Sequence, residues 1–251
     1  MRVTCMRTIG VIPARYKSSR LEGKPLADIH GKSMVQHVYE RARRASCLDD
    51  VVVATDDERI RSVVQSFGGK AVMTSAEHRS GTDRVAEAVR AMDADVVVNI
   101  QGDEPMLDPA MLAEVVDPFR SDTSVGVVTL KKRVTHESDF ADPGVVKVVT
   151  DPAGYALYFS RSLIPYPRKR TPQFAVFEHL GLYAYTRSAL MRLAELPPSE
   201  LEEIESLEQL RALENGIRIL VIETASRQEM LSVDTQADLE RARELMVAVS
   251  V

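Results

Sequence analysis

Along the first half of the chain, short apolar runs alternate with segments whose apolar residues recur every three or four positions. Thr8–Pro13 is apolar and β-branched and predicts a buried strand. Ser33 stands as an N-cap before a helical stripe of Met34, Val35, Val38, Ala42 and Ala45. Asp50–Thr55 predicts a second buried strand. Ile60, Val63, Val64 and Phe67 predict a helix that stops at Gly68-Gly69. Ala71–Thr74 reads as a short strand, Thr82–Met92 as a helix and Asp95–Ile100 as a third continuous apolar strand. Pro109 suits the first turn of a further helix. Strands alternating with amphipathic helices imply βαβ units and a largely parallel sheet covered on both faces. In such sheets ligands bind outside the carboxyl ends of the strands, which singles out the loops Ala14–Lys24, Asp56–Asp57 and Gln101–Pro105.

The pattern changes in the second half. Val125–Lys132, Val145–Thr150, Tyr155–Phe159 and Leu180–Tyr185 predict strands at closer spacing, with Asp151-Pro-Ala-Gly154 as a hairpin turn. Ser160–Ala175, rich in proline and cations, predicts a mobile surface loop. Helices are expected again over Leu201–Asn215 and Thr235–Val249. In the former, Leu201, Ile204, Leu207, Leu210 and Leu213 form a stripe that would face the core. There is no internal repeat and no sharp linker. The expected organisation is one α/β domain, a three-layer α/β/α sandwich with a mixed, mainly parallel sheet and a small antiparallel lobe. Its halves would be about 1–125 and 126–251.

Composition narrows the chemistry. The 251 residues carry a net charge of -5, which argues against a general nucleic-acid or anionic-membrane binder. Two distant cysteines allow neither a disulfide framework nor a CxxC metal pair. No apolar run is long enough to span a bilayer and no signal-like segment is present, so a cytoplasmic location is expected. Against this acidic background the loop after the first strand gathers Arg15, Lys17, Arg20 and Lys24. Such a loop points to a small anion. It is not a P-loop, because Gly23-Lys24 is followed by Pro25 and Gly31-Lys32-Ser33 lacks the earlier glycine. Side-chain cations and backbone N–H groups at a strand end can still hold a triphosphate.

Gln101-Gly-Asp-Glu-Pro105 places carboxylates at the end of an apolar strand, a hard-oxygen arrangement suited to Mg²⁺. The same residues would also serve a helix-entry turn in which Asp103 caps backbone amides. Asp234 and Thr235 pose the same choice: a metal ligand or the cap of the last helix. His78–Arg84 combines a tight turn with a helix start, where Ser80 and Arg84 can contact a base or ribose or simply cap the helix. His179 lies between Glu178 and a strand, in a setting common for structural histidines. No HExxH and no GxSxG occurs.

Taken together, Ile12–Tyr16 with Ser19-Arg-Leu21 and Gly23–Leu26, Val53–Asp56, Ser80–Arg84, Asn99–Pro105, Gly154–Arg161, His179–Tyr183, Leu207–Arg211 and Val233–Thr235 resemble the 3-deoxy-manno-octulosonate cytidylyltransferase (CMP-Kdo synthetase) family, in family order and over nearly the whole chain. The resemblance implies a nucleotide-diphospho-sugar-transferase-like fold and a reaction in which CTP and the acid sugar Kdo give CMP-Kdo and pyrophosphate. It also implies Mg²⁺, a cytoplasmic homodimer and a place in lipopolysaccharide synthesis. By resemblance, Arg15 and Lys24 grip the triphosphate, with Ala14, Ser18, Ser19 and Arg20 completing that loop. Ser80, Gly81 and Arg84 contact the cytidine. Asp103 and Asp234 ligate Mg²⁺, and Gln101, Arg161, His179, Tyr183, Glu208 and Gln209 bind the sugar acid. Glu22 departs from the proline common in the family at that position. The short Arg168–Glu178 segment resembles a subfamily that activates the 8-amino sugar. Activation of a sialic acid and a non-catalytic nucleotide-binding module are the competing readings.

Overall fold

The buried β-branched run Thr8–Ala14 forms β1, the centre of a parallel sheet. The computed structural model describes residues 6–17, 20–78, 80–169, 171, 174–228 and 230–247. Two compact units emerge, Met1–Val116 with Ser226–Val251, and Asp117–Ala225.

In the first unit β1 is followed by a hairpin of β2 (Asp28–Ile29) and β3 (Lys32–Ser33), then α1 (Met34–Ala42), β4 (Asp50–Thr55), α2 (Glu58–Ser66), β5 (Ala71–Met73), α3 (Gly81–Val89), β6 (Val96–Asn99) and α4 (Pro109–Val116). Strands β6, β1, β4 and β5 lie side by side in that order, all parallel. Val11, Val53 and Val97 at its centre are fully buried, as strands covered on both faces require. The helical stripes face the sheet: Val35, Val38, Ile60, Val64, Val85 and Val89 are likewise buried. Ser33 occupies the N-cap position of α1 but makes no side-chain cap bond.

In the second unit α5 (Pro118–Ser121) precedes β7 (Val127–Arg133), β8 (Lys147–Thr150), β9 (Ala156–Ser160), β10 (Phe177–Thr186), α6 (Arg187–Glu195), α7 (Glu200–Glu205), α8 (Gln209–Glu214) and β11 (Ile219–Glu223). β11 runs parallel to β7, while β7–β10, β10–β8 and β8–β9 are antiparallel. The hairpin turn forms as expected: Asp151 Oδ1 accepts from Ala153 N at 2.9 Å and Tyr155 N at 2.8 Å. The α/β class and the mixed sheet expected from the sequence are therefore present, with the small antiparallel elements at β2–β3 and β8–β9.

The single helix expected over Leu201–Asn215 is instead two. α7 ends at Ser206, whose φ of 52° is left-handed, and α8 begins at Gln209. The break rotates the stripe, so Leu207 and Leu210 are buried while Ile204 is 70% exposed. The last helix, α9 (Gln236–Val247), belongs to the first unit. There Val233, Leu239, Ala242 and Met246 pack with Ile29, Met34 and Met106.

Candidate functional site

β1 delivers Ala14 and Arg15 to the carboxyl edge of the parallel sheet, and β6 delivers Gln101, Gly102 and Asp103 to the same edge. Together with Lys17, Lys24 and Pro25 they line a cleft of about 340 Å³. Gly102 is what lets the two loops meet, since a Cβ there would stand 2.9 Å from the Pro13 carbonyl oxygen. Lys24 opens a single 3₁₀ turn behind Gly23, a left-handed N-cap at φ 67°. Its Nζ donates to Asp103 Oδ2 at 2.7 Å and to Asp234 Oδ1 at 3.0 Å. Arg20 reaches the same Asp234 oxygen at 3.1 Å. Burial on its own would depress the Lys24 pKa, but the charge and hydrogen bonds of Asp103 and Asp234 outweigh it, and the ammonium is held above its usual value.

Geometry removes the capping role left open for Asp103 and Asp234. Asp103 caps no helix; its backbone oxygen accepts from Val233 N at 2.9 Å, which holds the segment before α9 against the β6 loop. Thr235 closes the N-terminus of α9 by reciprocal bonds with Asp238, at 3.2 and 2.8 Å. Asp234 is thereby left with its carboxylate facing Lys24 and Arg20. Ser80 does cap α3, in a capping box with Asp83. Gly81, the first residue of that helix, sits where an added Cβ would touch Pro13 Cγ at 3.5 Å, which brings the α3 N-terminus beside the Arg15 loop.

Arg84 is fully buried. Its Nη1 donates to Thr74 Oγ1 at 2.6 Å and lies 3.4 Å from Asp56 Oδ1. Burial lowers its pKa; Asp56 opposes that and the like charge of Arg15 adds to it. Its Nε and Nη2, and the Nη2 of Arg15, are buried without hydrogen-bond partners among the described residues. Each such donor costs about 1–3 kcal/mol unless an acceptor, from water or a ligand, meets it. Asp56 and Thr74 escaped assignment from sequence, although the loop carrying Asp56 was marked by its place after β4.

Ser18 and Ser19 lie outside the described residues. Of the residues that resemblance assigns to a sugar acid, Gln101 lines the first unit's cleft and the rest lie in the second unit. His179 is ringed by Phe159 and Tyr183, at centroid distances of 4.9 and 5.3 Å. Burial drives its pKa to about 3. Tyr183 is pushed well above its ordinary value by burial, by Tyr185 and by the charge of Glu208. Glu208 and Gln209 start α8, at the break after Ser206. Arg161 is used differently from a free ligand arm. Its Nε, Nη1 and Nη2 donate to the carbonyls of Glu205 at 2.8 Å, Pro143 at 2.8 Å and Ser206 at 3.3 Å, so it braces the turn that carries Glu208.

Among the described residues no group of three or more His, Cys, Asp or Glu side chains converges as a metal site. Asp103 and Asp234 nevertheless fit Mg²⁺, which keeps waters and takes one or two carboxylates together with substrate phosphates. A cation, Lys24, already sits between them. No helix among the described residues is long and apolar enough to cross a membrane.

Residues 9–219 match the cytidylyltransferase family. The chain is 51% identical over 251 residues to the 3-deoxy-manno-octulosonate cytidylyltransferase of Trichlorobacter lovleyi, covering 96% of this chain and 99% of that one. It is 52% identical over 242 residues to the protein of the same name from Solibacter usitatus, covering 96% and 95%. A solved structure of CMP:2-keto-3-deoxy-manno-octonic acid synthetase complexed with CTP superimposes with a TM-score of 0.91 at 47% identity, over 96% of this chain and 99% of the other. The chain belongs to the 3-deoxy-manno-octulosonate cytidylyltransferase family.

Proposed function

We propose that this chain activates Kdo with CTP, giving CMP-Kdo and pyrophosphate for lipopolysaccharide synthesis, as a Mg²⁺-dependent cytoplasmic homodimer. The observation that carries the site assignment is Lys24 held between Asp103 and Asp234, beside an Arg15 whose Nη2 is buried with no partner among the described residues. Arg15 and Lys24 bind the triphosphate, with Ala14, Arg20 and the two serines of the same loop around it. Ser80 and Gly81 place the α3 N-terminus against the nucleoside. Arg84, buried between Thr74 and Asp56, completes the cytidine side of the site.

Asp103 and Asp234 would hold Mg²⁺, which would supply charge neutralisation at the phosphates and lower the pKa of a nearby hydroxyl. In the second unit the sugar acid is bound by His179, Tyr183, Glu208 and Gln209, with Arg161 fixing the turn beneath Glu208. The oxygen of the sugar's C2 hydroxyl bonds to the α-phosphorus as the bond from that phosphorus to the pyrophosphate oxygen breaks in line. The hydroxyl proton passes to solvent. Arg15 and Lys24 stabilise the charge that grows on the phosphate oxygens, and most of the rate comes from such positioning and electrostatics.

The test is pyrophosphate release with Mg²⁺ and CTP, comparing Kdo, 8-amino-Kdo and N-acetylneuraminate. Kdo should be preferred. Asp103→Asn and Asp234→Asn should each lower turnover about a hundredfold or more with an intact fold. Near-normal turnover in either variant would remove that residue from the metal site, and preference for N-acetylneuraminate would overturn the substrate.

A further inference from the structure

Arg15 and Lys24 stand at the two ends of one loop, and the residue just inside each end is pinned. Tyr16 follows Arg15, and Gly23 precedes Lys24. The Gly23 N–H donates to the Tyr16 carbonyl at 2.9 Å. A Cβ on Gly23 would stand 3.2 Å from the Tyr16 ring and 3.3 Å from its hydroxyl oxygen, in a backbone of φ +67°. The loop's two ends are thus closed on each other with no room for a larger residue.

A third element grips the same ring. The guanidinium carbon of Arg59, in the first turn of α2, lies 3.2 Å from the Tyr16 ring centroid. Asp57 holds that guanidinium by two parallel bonds, Nε to Oδ1 at 2.9 Å and Nη2 to Oδ2 at 2.6 Å. Asp57 also caps α2, accepting from Arg59 N at 2.9 Å, and its own N–H donates to Thr55 Oγ1 at 3.2 Å. Glu22, in the loop itself, adds a favourable charge to Arg59. An isolated surface ion pair does little because both side chains wander. Here the two-pronged bond fixes the plane of the guanidinium, and a fixed plane is what stacking on a ring requires.

We propose that Tyr16 and Arg59, with Asp57, are positioning residues: a strap from the α2 N-terminus that sets the separation of Arg15 and Lys24 before the nucleotide arrives. Neither residue is assigned to contact substrate. The inference rests on the reading that Arg15 and Lys24 hold the triphosphate. It also gives Glu22 a part, through its favourable charge on Arg59.

The test uses the full-length enzyme with CTP as the probe, in direct binding titrations and in steady-state kinetics. Arg59→Ala and Tyr16→Leu should each weaken CTP binding and raise its KM about tenfold, the equivalent of roughly 1.4 kcal/mol. The KM for the sugar acid and the melting temperature should stay near those of the parent. Arg59→Lys should rescue poorly, because an ammonium cannot make both the fork and the stack. The double variant should be little worse than either single one, as expected of residues acting as a unit. A parent-like CTP affinity in Arg59→Ala overturns the strap, as does a loss shared equally by both substrates together with a lower melting temperature. Lys24→Ala separates the two levels. If it leaves CTP binding unchanged, the triphosphate reading fails; if it weakens binding while Arg59→Ala does not, only the strap fails.

Discussion

His179 shows how much one side chain's surroundings decide. The Thr129 hydroxyl lies 2.9 Å from the Leu182 carbonyl, 3.1 Å from that of Leu180 and 3.1 Å from His179 Nε2. The hydroxyl has one proton for these three neighbours; when it goes to a carbonyl, Nε2 donates to the hydroxyl oxygen and the ring's lone pair lies on Nδ1. Burial, which lowers the pKa to about 3, keeps the ring neutral at physiological pH. The linkage has a definite sign. Between about 6.5 and 3 the unfolded chain takes up a proton that the folded chain refuses. The contribution to stability is complete above 6.5 and is lost as pH falls towards 3. Urea melts at pH 7 and 4.5 should show this loss, roughly 2–3 kcal/mol from this residue. In His179→Phe the acid branch should be shallower by that amount; parallel pH curves for parent and variant would show that His179 does not stay neutral. At this scale the sequence marked Lys24 as a cation of the loop after β1 and left Asp103 open between capping and metal binding. It left Asp234 and Thr235 undecided, because capping a helix and facing a cation make the same demands on an oxygen, and only the position of Asp238 separates them.

The loop after β6 is an element whose shape is set by one missing atom. Gly102→Ala would put a Cβ 2.9 Å from the Pro13 carbonyl oxygen and 3.4 Å from Ile12 Cγ2, so the loop would have to move away from β1, carrying Asp103 with it. Such overpacking costs about 1–3 kcal/mol of stability, whereas displacing a positioned group by an ångström costs roughly a hundredfold in rate. Kinetics and thermal melts of this variant should therefore diverge, with kcat/KM falling far more than the melting temperature suggests. A parent-like kcat/KM would show that the two loops have slack. The parallel βα alternation of the first unit was legible because each element there is a long run with one clear period. The second unit was harder. α6 and β11 went unrecognised, and α7 and α8 were fused, because these elements are short and tertiary contacts place them. The signals were local and small: Thr186 caps α6 at Ala189 N, and Ser199 with Glu202 opens α7. Helical periodicity ran straight through Ser206, and nothing in the stripe itself required the turn that Arg161 braces.

At the scale of the whole molecule the chain leaves its first unit at Val116 and returns to it at Ser226. The N-terminal half of the sequence therefore lacks two things that its own fold uses. One is apolar: Val233, Leu239, Ala242 and Met246 complete the cluster around Ile29, Met34 and Met106. The other is chemical, since Asp234 is the second carboxylate on Lys24. The return is stitched by Val233 N to Asp103 O at 2.9 Å and Ser226 Oγ to Asp108 Oδ2 at 2.6 Å. Binding of CTP and stability of the first unit should accordingly fail together when the return segment is damaged. Leu239, 3% exposed, gives a graded test. Leu239→Ala should cost about 2–5 kcal/mol and weaken CTP binding, whereas Leu190→Ala, at a fully buried position in the second unit, should cost a comparable amount while leaving CTP affinity near the parent value. Asp234→Asn should do the reverse of Leu239→Ala, lowering turnover with little loss of stability. Saturating CTP stabilises whatever binds it, by about 2.7 kcal/mol at a hundred times Kd, so melts with and without nucleotide read both effects in one experiment. A Leu239→Ala protein that melts early yet gains the full nucleotide shift, with parent affinity, would show that the returning segment supports the fold without shaping the site.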